Sequence, residues 1–152
     1  AAPYFGDEYY DTAVEAADAW IAVERYGPYI RQQKAIALWE LGRTDEVIEL
    51  LEETVTMDPN YVDPIALLAD AYYQKKLYKK AEPLYLQVLA QRPDDEQSRR
   101  SLAVVHAANG DLEDALANYR ILAERLPEDE SIADAIRSIE ASMALSEGTD
   151  EK

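Results

Sequence analysis

The sequence contains no cysteine, which excludes disulfides, thiolate metal ligands and cysteine nucleophiles. It has one histidine, His106, so a catalytic triad would have a single candidate imidazole base. The five glycines are isolated, mostly at turns or near the termini, and none belongs to a phosphate-cradling loop. No EF-hand spacing is present. No apolar run approaches the roughly 18 residues of a membrane span, so membrane insertion is not expected. Basic residues are also scarce, at 15 Lys and Arg against 31 Asp and Glu, for a net charge of −16. Such a surface repels phosphate backbones and anionic headgroups, which disfavours nucleic acid and membrane surfaces as partners.

The acid is unevenly spread. Residues 1–27 carry −5, 28–61 carry −4, 96–129 carry −3 and 130–152 carry −4, whereas 62–95 are neutral. That neutrality comes largely from Lys75, Lys76, Lys79 and Lys80, four of the six lysines. An acid-rich, lysine-poor surface is one solution to high salt and also keeps a protein soluble by self-repulsion. The chain opens on Ala1 rather than Met, so a processed product or a piece of something longer is expected. Nothing in the composition chooses between cytoplasm and periplasm.

What the sequence has in quantity is Leu, Ala and Glu, which favour helices. The length of 152 residues suits one domain overall, burying roughly 70% of its unfolded surface. The stretch 62–95 then recurs on both sides at a spacing of 34 residues. Pro93 aligns with Pro59 and Pro127, Ala69 with Ala35 and Ala103, and Tyr85 with Leu51 and Tyr119. A period of this length is the signature of stacked helical hairpins.

In chain order, 1–27 read as an irregular lead-in followed by a half-repeat helix from Asp7 to Tyr26, with Val14, Ala17, Trp20, Ile21 and Val23 as its apolar stripe. Repeat one spans 28–61, with Ala35, Leu38 and Leu41 inward on its first helix and Gly42 at the left-handed C-terminal position. Its second helix uses Val47, Leu50, Leu51 and Val55 and stops before Pro59. Repeat two spans 62–95. Asp63 is expected as its N-cap with Pro64 at the first helical position, and Pro83 near the start of the second helix. Lys76 stands where Gly42 and Gly110 stand, so its turn is expected to carry left-handed strain. Repeat three spans 96–129, with Asp111 as N-cap after the turn at Gly110. A one-sided helix from about Glu130 to Leu145, carrying Ile132, Ile136 and Ile139, reads as a solvating cap before a frayed polar tail.

These three in-phase copies resemble the tetratricopeptide repeat family over about 28–129. Repeat two matches through Ile65, Leu68, Ala69, Tyr72, Ala81, Tyr85, Val88 and Pro93, and repeat three through Leu102, Ala103, Ala115, Tyr119, Leu122 and Pro127. His106 stands where Tyr72 stands, while Arg31, Lys34, Thr54 and Arg99 occupy positions usually apolar. The resemblance implies an all-α fold, a right-handed superhelical stack of antiparallel helix hairpins with flanking helices. It implies a non-catalytic module that binds a peptide or helix of a partner in its concave groove, in a scaffold or assembly role.

Carried over to this chain, the groove would be lined by Tyr29, Gln32, Ile36, Trp39 and Glu40 of repeat one, and by Asp63, Ala66, Asp70, Tyr73 and Gln74 of repeat two. Repeat three would add Gln97, Arg100, Val104, Ala107 and Ala108. Its acids beside Trp39, Tyr73 and Ile36 point to a basic and apolar peptide. The clamp with which one subgroup grips acidic chaperone tails is missing, because the corresponding residues are Gln32, Ile36, Leu67, Gln97 and Ser101.

Tyr72, Tyr85, Tyr119 and Trp20 fall on buried repeat positions and are expected in the core. His106 is expected as a packed, hydrogen-bonded core residue. Acid pairs such as Glu52-Glu53, Asp94-Asp95 and Glu113-Asp114 read as caps and solvated surface, and no cofactor or metal is expected. The alternative function is a structural, self-assembling segment of a longer repeat protein that forms homo-oligomers through its terminal helices, Trp20 included.

Overall fold

A computed structural model describes residues 6–22 and 27–150. Within them the chain forms eight helices and no strand: α1 (Asp7–Ala22), α2 (Gly27–Glu40), α3 (Thr44–Met57), α4 (Val62–Gln74), α5 (Tyr78–Gln91), α6 (Glu96–Asn109), α7 (Leu112–Arg125) and α8 (Glu130–Asp150). The all-α, hairpin-repeat architecture is therefore the one the 34-residue period implies. Val23 and Tyr26, expected to end the first helix, lie outside the described residues.

The turns follow from backbone chemistry. Gly42 sits at φ 74° and Gly110 at φ 88°. At Gly42 the amide of Arg43 donates to Leu38 O and that of Gly42 to Trp39 O. At Gly110 the amide of Asp111 donates to His106 O and that of Gly110 to Ala107 O. Each pair is a Schellman closure, which satisfies the orphan carbonyls of a helix end. Lys76 adopts φ 59°, the only left-handed non-glycine among the described residues, as its equivalence to the two glycines requires.

Contacts divide the chain into two units, residues 1–75 and 76–152, with the boundary between α4 and α5. In the first unit α1 packs on α2, α2 on α3, α3 on α4, and α2 also touches α4. Its core gathers Val14, Ala17, Ala35, Leu38, Val47, Leu51, Ile65, Leu68 and Ala69. Three residues that depart from the apolar pattern find local partners. Arg31 Nη1 lies 3.4 Å from Glu53 Oε1, and Lys34 Nζ lies 2.6 Å from Asp18 Oδ1. Thr54, fully buried, donates to the Leu50 carbonyl at 2.7 Å, which removes the cost of an unpaired hydroxyl.

In the second unit α5 packs on α6, α6 on α7 and α7 on α8. Tyr85, Val88, Leu102, Ala103, Leu122 and Ile132 are fully or almost fully buried. Asp95 caps α6 by accepting from the Ser98 amide at 3.0 Å. Arg99 donates to Asn118 Oδ1 at 3.0 Å and to the Pro93 carbonyl at 3.1 Å, while its Nε is buried without a partner.

Five sequence expectations need correction. Trp20 is 45% exposed rather than core, because α1 turns only Val14 and Ala17 fully inward. Tyr61, not Asp63, is the N-cap of α4, so Asp63 and Pro64 fall within the first turn, where amides need no intrahelical acceptor. Pro83 lies in the second turn of α5, so the Lys79 carbonyl loses its usual i+4 donor. α8 continues to Asp150 instead of fraying after Leu145, since nothing from Ser146 to Thr149 is a strong breaker except Gly148. His106 is buried as expected, but its Nδ1 has no hydrogen-bond partner.

Candidate functional site

A helix repeats its surface about every 3.6 residues, so spacings of three and four keep side chains on one face. Tyr29, Gln32, Ile36, Trp39 and Glu40 follow that spacing along α2, and Asp63, Ala66, Asp70, Tyr73 and Gln74 follow it along α4. α2 and α4 touch in the first unit, and Gln32 of the first stripe meets Tyr61 at the start of α4. Tyr29 is 58% and Ile36 36% exposed, while Trp39, Asp63, Ala66, Asp70 and Tyr73 are half-buried and Glu40 and Gln74 exposed.

Part of this face is already bound up with the fold. The Tyr61 hydroxyl donates to Gln32 Oε1, and the Thr44 hydroxyl donates to Gln74 Oε1 at 3.4 Å. Asp63, Asp70 and Tyr73 also have partners. Arg43 and Glu46, at the turn after α2, pair with each other; the hydrogen bond raises the arginine and lowers the carboxyl from their ordinary ranges. Lys75 pairs with Asp45 at 3.0 Å, which takes one charge from the lysine cluster.

The α6 stripe behaves differently. Gln97 and Ala108 are exposed, but Val104 and Ala107 pack against the cluster of Ala103, Tyr119, Leu122 and Ile132. Arg100 Nη2 lies 2.6 Å from Asp129 Oδ2, and Nη1 donates to Ser131 Oγ at 3.3 Å. The Ser131 hydroxyl bond, and after it the bond from Arg100, hold the Asp129 carboxyl below its usual range. Arg100 thus ties α6 to the segment that opens α8, and its charge is neutralised there.

Outside these stripes lies a cluster that the sequence reading missed. His106, Glu82 and Asp111 place one ligand atom each within 4.8 Å of one another. Glu82 comes from α5, well before His106 on α6, and Asp111 follows in the α6–α7 turn, so the only signal was the repeat alignment of His106 with Tyr72. Tyr72 itself donates its hydroxyl to Glu52 Oε1 at 2.5 Å. Burial, and after it that bond, push its phenol up to about 12.

Residues 38–104 match the tetratricopeptide repeat family model. No curated protein matches the sequence. Among solved structures, MamA 41-end from Desulfovibrio magneticus RS-1 is 19% identical with a TM-score of 0.80, over 93% of this chain and 80% of that one. MamA AMB-1 is 23% identical with a TM-score of 0.74, over 90% and 88%. The first tetratricopeptide domain of Spaghetti (RPAP3), bound to the HSP90 peptide SRMEEVD, is 20% identical with a TM-score of 0.68, over 77% of this chain and 93% of its own. Residues 38–104 thus resemble the tetratricopeptide repeat family, and the hairpin fold around them is the one shared with these solved structures.

Proposed function

We propose that the α2–α4 face of the first unit is a non-catalytic docking surface for a basic and apolar peptide or helix of a protein partner. The observation that carries this reading is the composition of that face: exposed Tyr29 and Ile36 beside half-buried Trp39 and Tyr73, bordered by Glu40, Asp63 and Asp70. Aromatic side chains in such a setting supply hot-spot area, and carboxylates of one sign steer a cationic partner.

The RPAP3 domain takes an acidic peptide, SRMEEVD. A similar ligand suits this chain poorly. Its net charge is −16, and the positions corresponding to the chaperone clamp hold Gln32, Ile36, Leu67, Gln97 and Ser101. Gln32 is already hydrogen-bonded by Tyr61, and Ser101 is buried.

Peptides alternating Lys or Arg with Leu or Phe, panned from a display library, are the probe. Trp39→Ala is expected to weaken the selected peptide by roughly 2 kcal/mol with little loss of fold. Asp70→Asn is expected to slow association and flatten its salt dependence. A selected peptide that binds both variants as tightly as the parent overturns this assignment of the face. A second reading, self-association through α1, is favoured by the exposure of Trp20 and Tyr9. Light scattering that reports a monomer at every concentration rules it out.

A further inference from the structure

We infer that Glu82, His106 and Asp111 form a binding site for a divalent first-row transition metal ion, with zinc and cobalt as its best probes. His106 Nδ1 lies 3.8 Å from Glu82 Oε1 and 4.0 Å from Asp111 Oδ2. The imidazole side chain is only 6% exposed, and Nδ1 is buried without a hydrogen-bond donor or acceptor of its own. Buried polar atoms in native folds are nearly always satisfied, so this nitrogen calls for an explanation. With the ring proton on Nε2, Nδ1 presents a lone pair toward two carboxylates. Three electron-pair donors then converge on one point with no cation among them.

The distances suit an ion better than direct contact. Sides of 3.8, 4.0 and at most 4.8 Å put a central ion about 2.5 Å or less from each donor. Closing by a few tenths of an ångström reaches the roughly 2.0–2.2 Å of zinc–nitrogen and zinc–carboxylate bonds. The two acids can make that movement, being 28% and 50% exposed, and their open side leaves water to complete the coordination. Asn109 supplies the outer support: its Nδ2 donates to Glu82 Oε2 at 2.7 Å and fixes the carboxylate that faces the ring. Lys79, on the adjoining cleft with Glu82, Asn109 and Asp111, forms no ion pair with either acid. An imidazole nitrogen with two carboxylates selects zinc, cobalt or nickel over magnesium and calcium, which prefer oxygen alone. Binding there would clamp α5 to the α6–α7 turn within the second unit.

That His106 is the only histidine makes the test clean, because one imidazole signal reports the site. The protein is titrated with Zn²⁺ in excess Mg²⁺, which occupies the carboxylates scattered over the surface. Nitrogen-detected NMR follows the ring, and calorimetry gives the stoichiometry. One equivalent is expected, with a shift of the Nδ1 resonance and a higher melting temperature. Co²⁺ is expected to give the visible absorption of a nitrogen-ligated ion. Asn109→Ser should weaken zinc by about 10–100-fold, and Glu82→Gln and Asp111→Asn by at least as much. An unmoved imidazole in the native protein overturns the site whatever the variants do. So does zinc that Mg²⁺ displaces, or that folded Glu82→Gln and Asp111→Asn proteins bind as tightly as the parent.

Discussion

Tyr72 and His106 occupy the same place in their repeats, 34 residues apart, and are both buried. The tyrosine reaches a carboxylate directly, through its hydroxyl to Glu52. The histidine is shorter, and its nearest carboxylates stop 3.8 and 4.0 Å away. The surroundings have changed with it. The residue equivalent to Glu52 is Leu86, 49% exposed, while the acids facing His106 stand where Ile48 and Leu77 would in the preceding copy. A repeat position can therefore exchange one polar residue for another only if its partners move as well, since a buried polar atom is costly to strand.

The sharpest way to break this equivalence is at the small residues beside it. Ala69 and Ala103 are fully buried at matching positions. Ala69→Leu and Ala103→Leu should each cost about 1–3 kcal/mol by overpacking, read from denaturant midpoints. If one variant melts with the parent, the two copies are not packed alike.

Tyr72→Phe comes next, at about 0.5–1.5 kcal/mol for the lost hydrogen bond. It should also change the alkaline limb of stability. The Tyr72 phenol is raised to about 12, so its protonated form is favoured by folding. That contribution is complete below the ordinary tyrosine value of about 10 and is lost as pH rises through about 12. The parent should lose more stability across that window than Tyr72→Phe, as measured by thermal melts.

Turn residues give a smaller contrast. Lys76→Gly relieves a left-handed lysine and should stabilise by up to about 1 kcal/mol, whereas Gly110→Ala should destabilise by a similar amount. The least effect is expected at Asp129, whose carboxyl is held low by Ser131 and then Arg100. Its contribution is present above the ordinary aspartate value of about 4 and fades as pH falls through the depressed one. Asp129→Asn should flatten the acid limb of the pH–stability profile slightly.

The 34-residue period made the helices, their turns and most of the core legible, because apolar spacing and glycine placement are local properties. Gly42, Gly110 and Lys76 could be assigned their left-handed geometry from alignment alone. Trp20 was misread because α1 has no preceding helix to cover that side within the described chain. The polar partners were harder still. Lys34 meets Asp18 and Arg100 meets Asp129 across 16 and 29 residues, distances at which sequence spacing says nothing about side-chain approach. The α6 stripe shows the same limit, since Val104 follows the expected spacing yet packs into its own unit's cluster.

Within each unit every helix packs chiefly on the helices next to it in the chain. Closing such contacts sacrifices little loop entropy, and chains dominated by local contacts fold in microseconds to milliseconds. The same arrangement makes protection from hydrogen exchange graded rather than uniform. Amides of α8, anchored on one side by α7, should exchange well before those of α6, which is held between α5 and α7. Within the second unit α8 can thus loosen without the helices before it opening, and proteolysis there would report that local opening rather than the average stability.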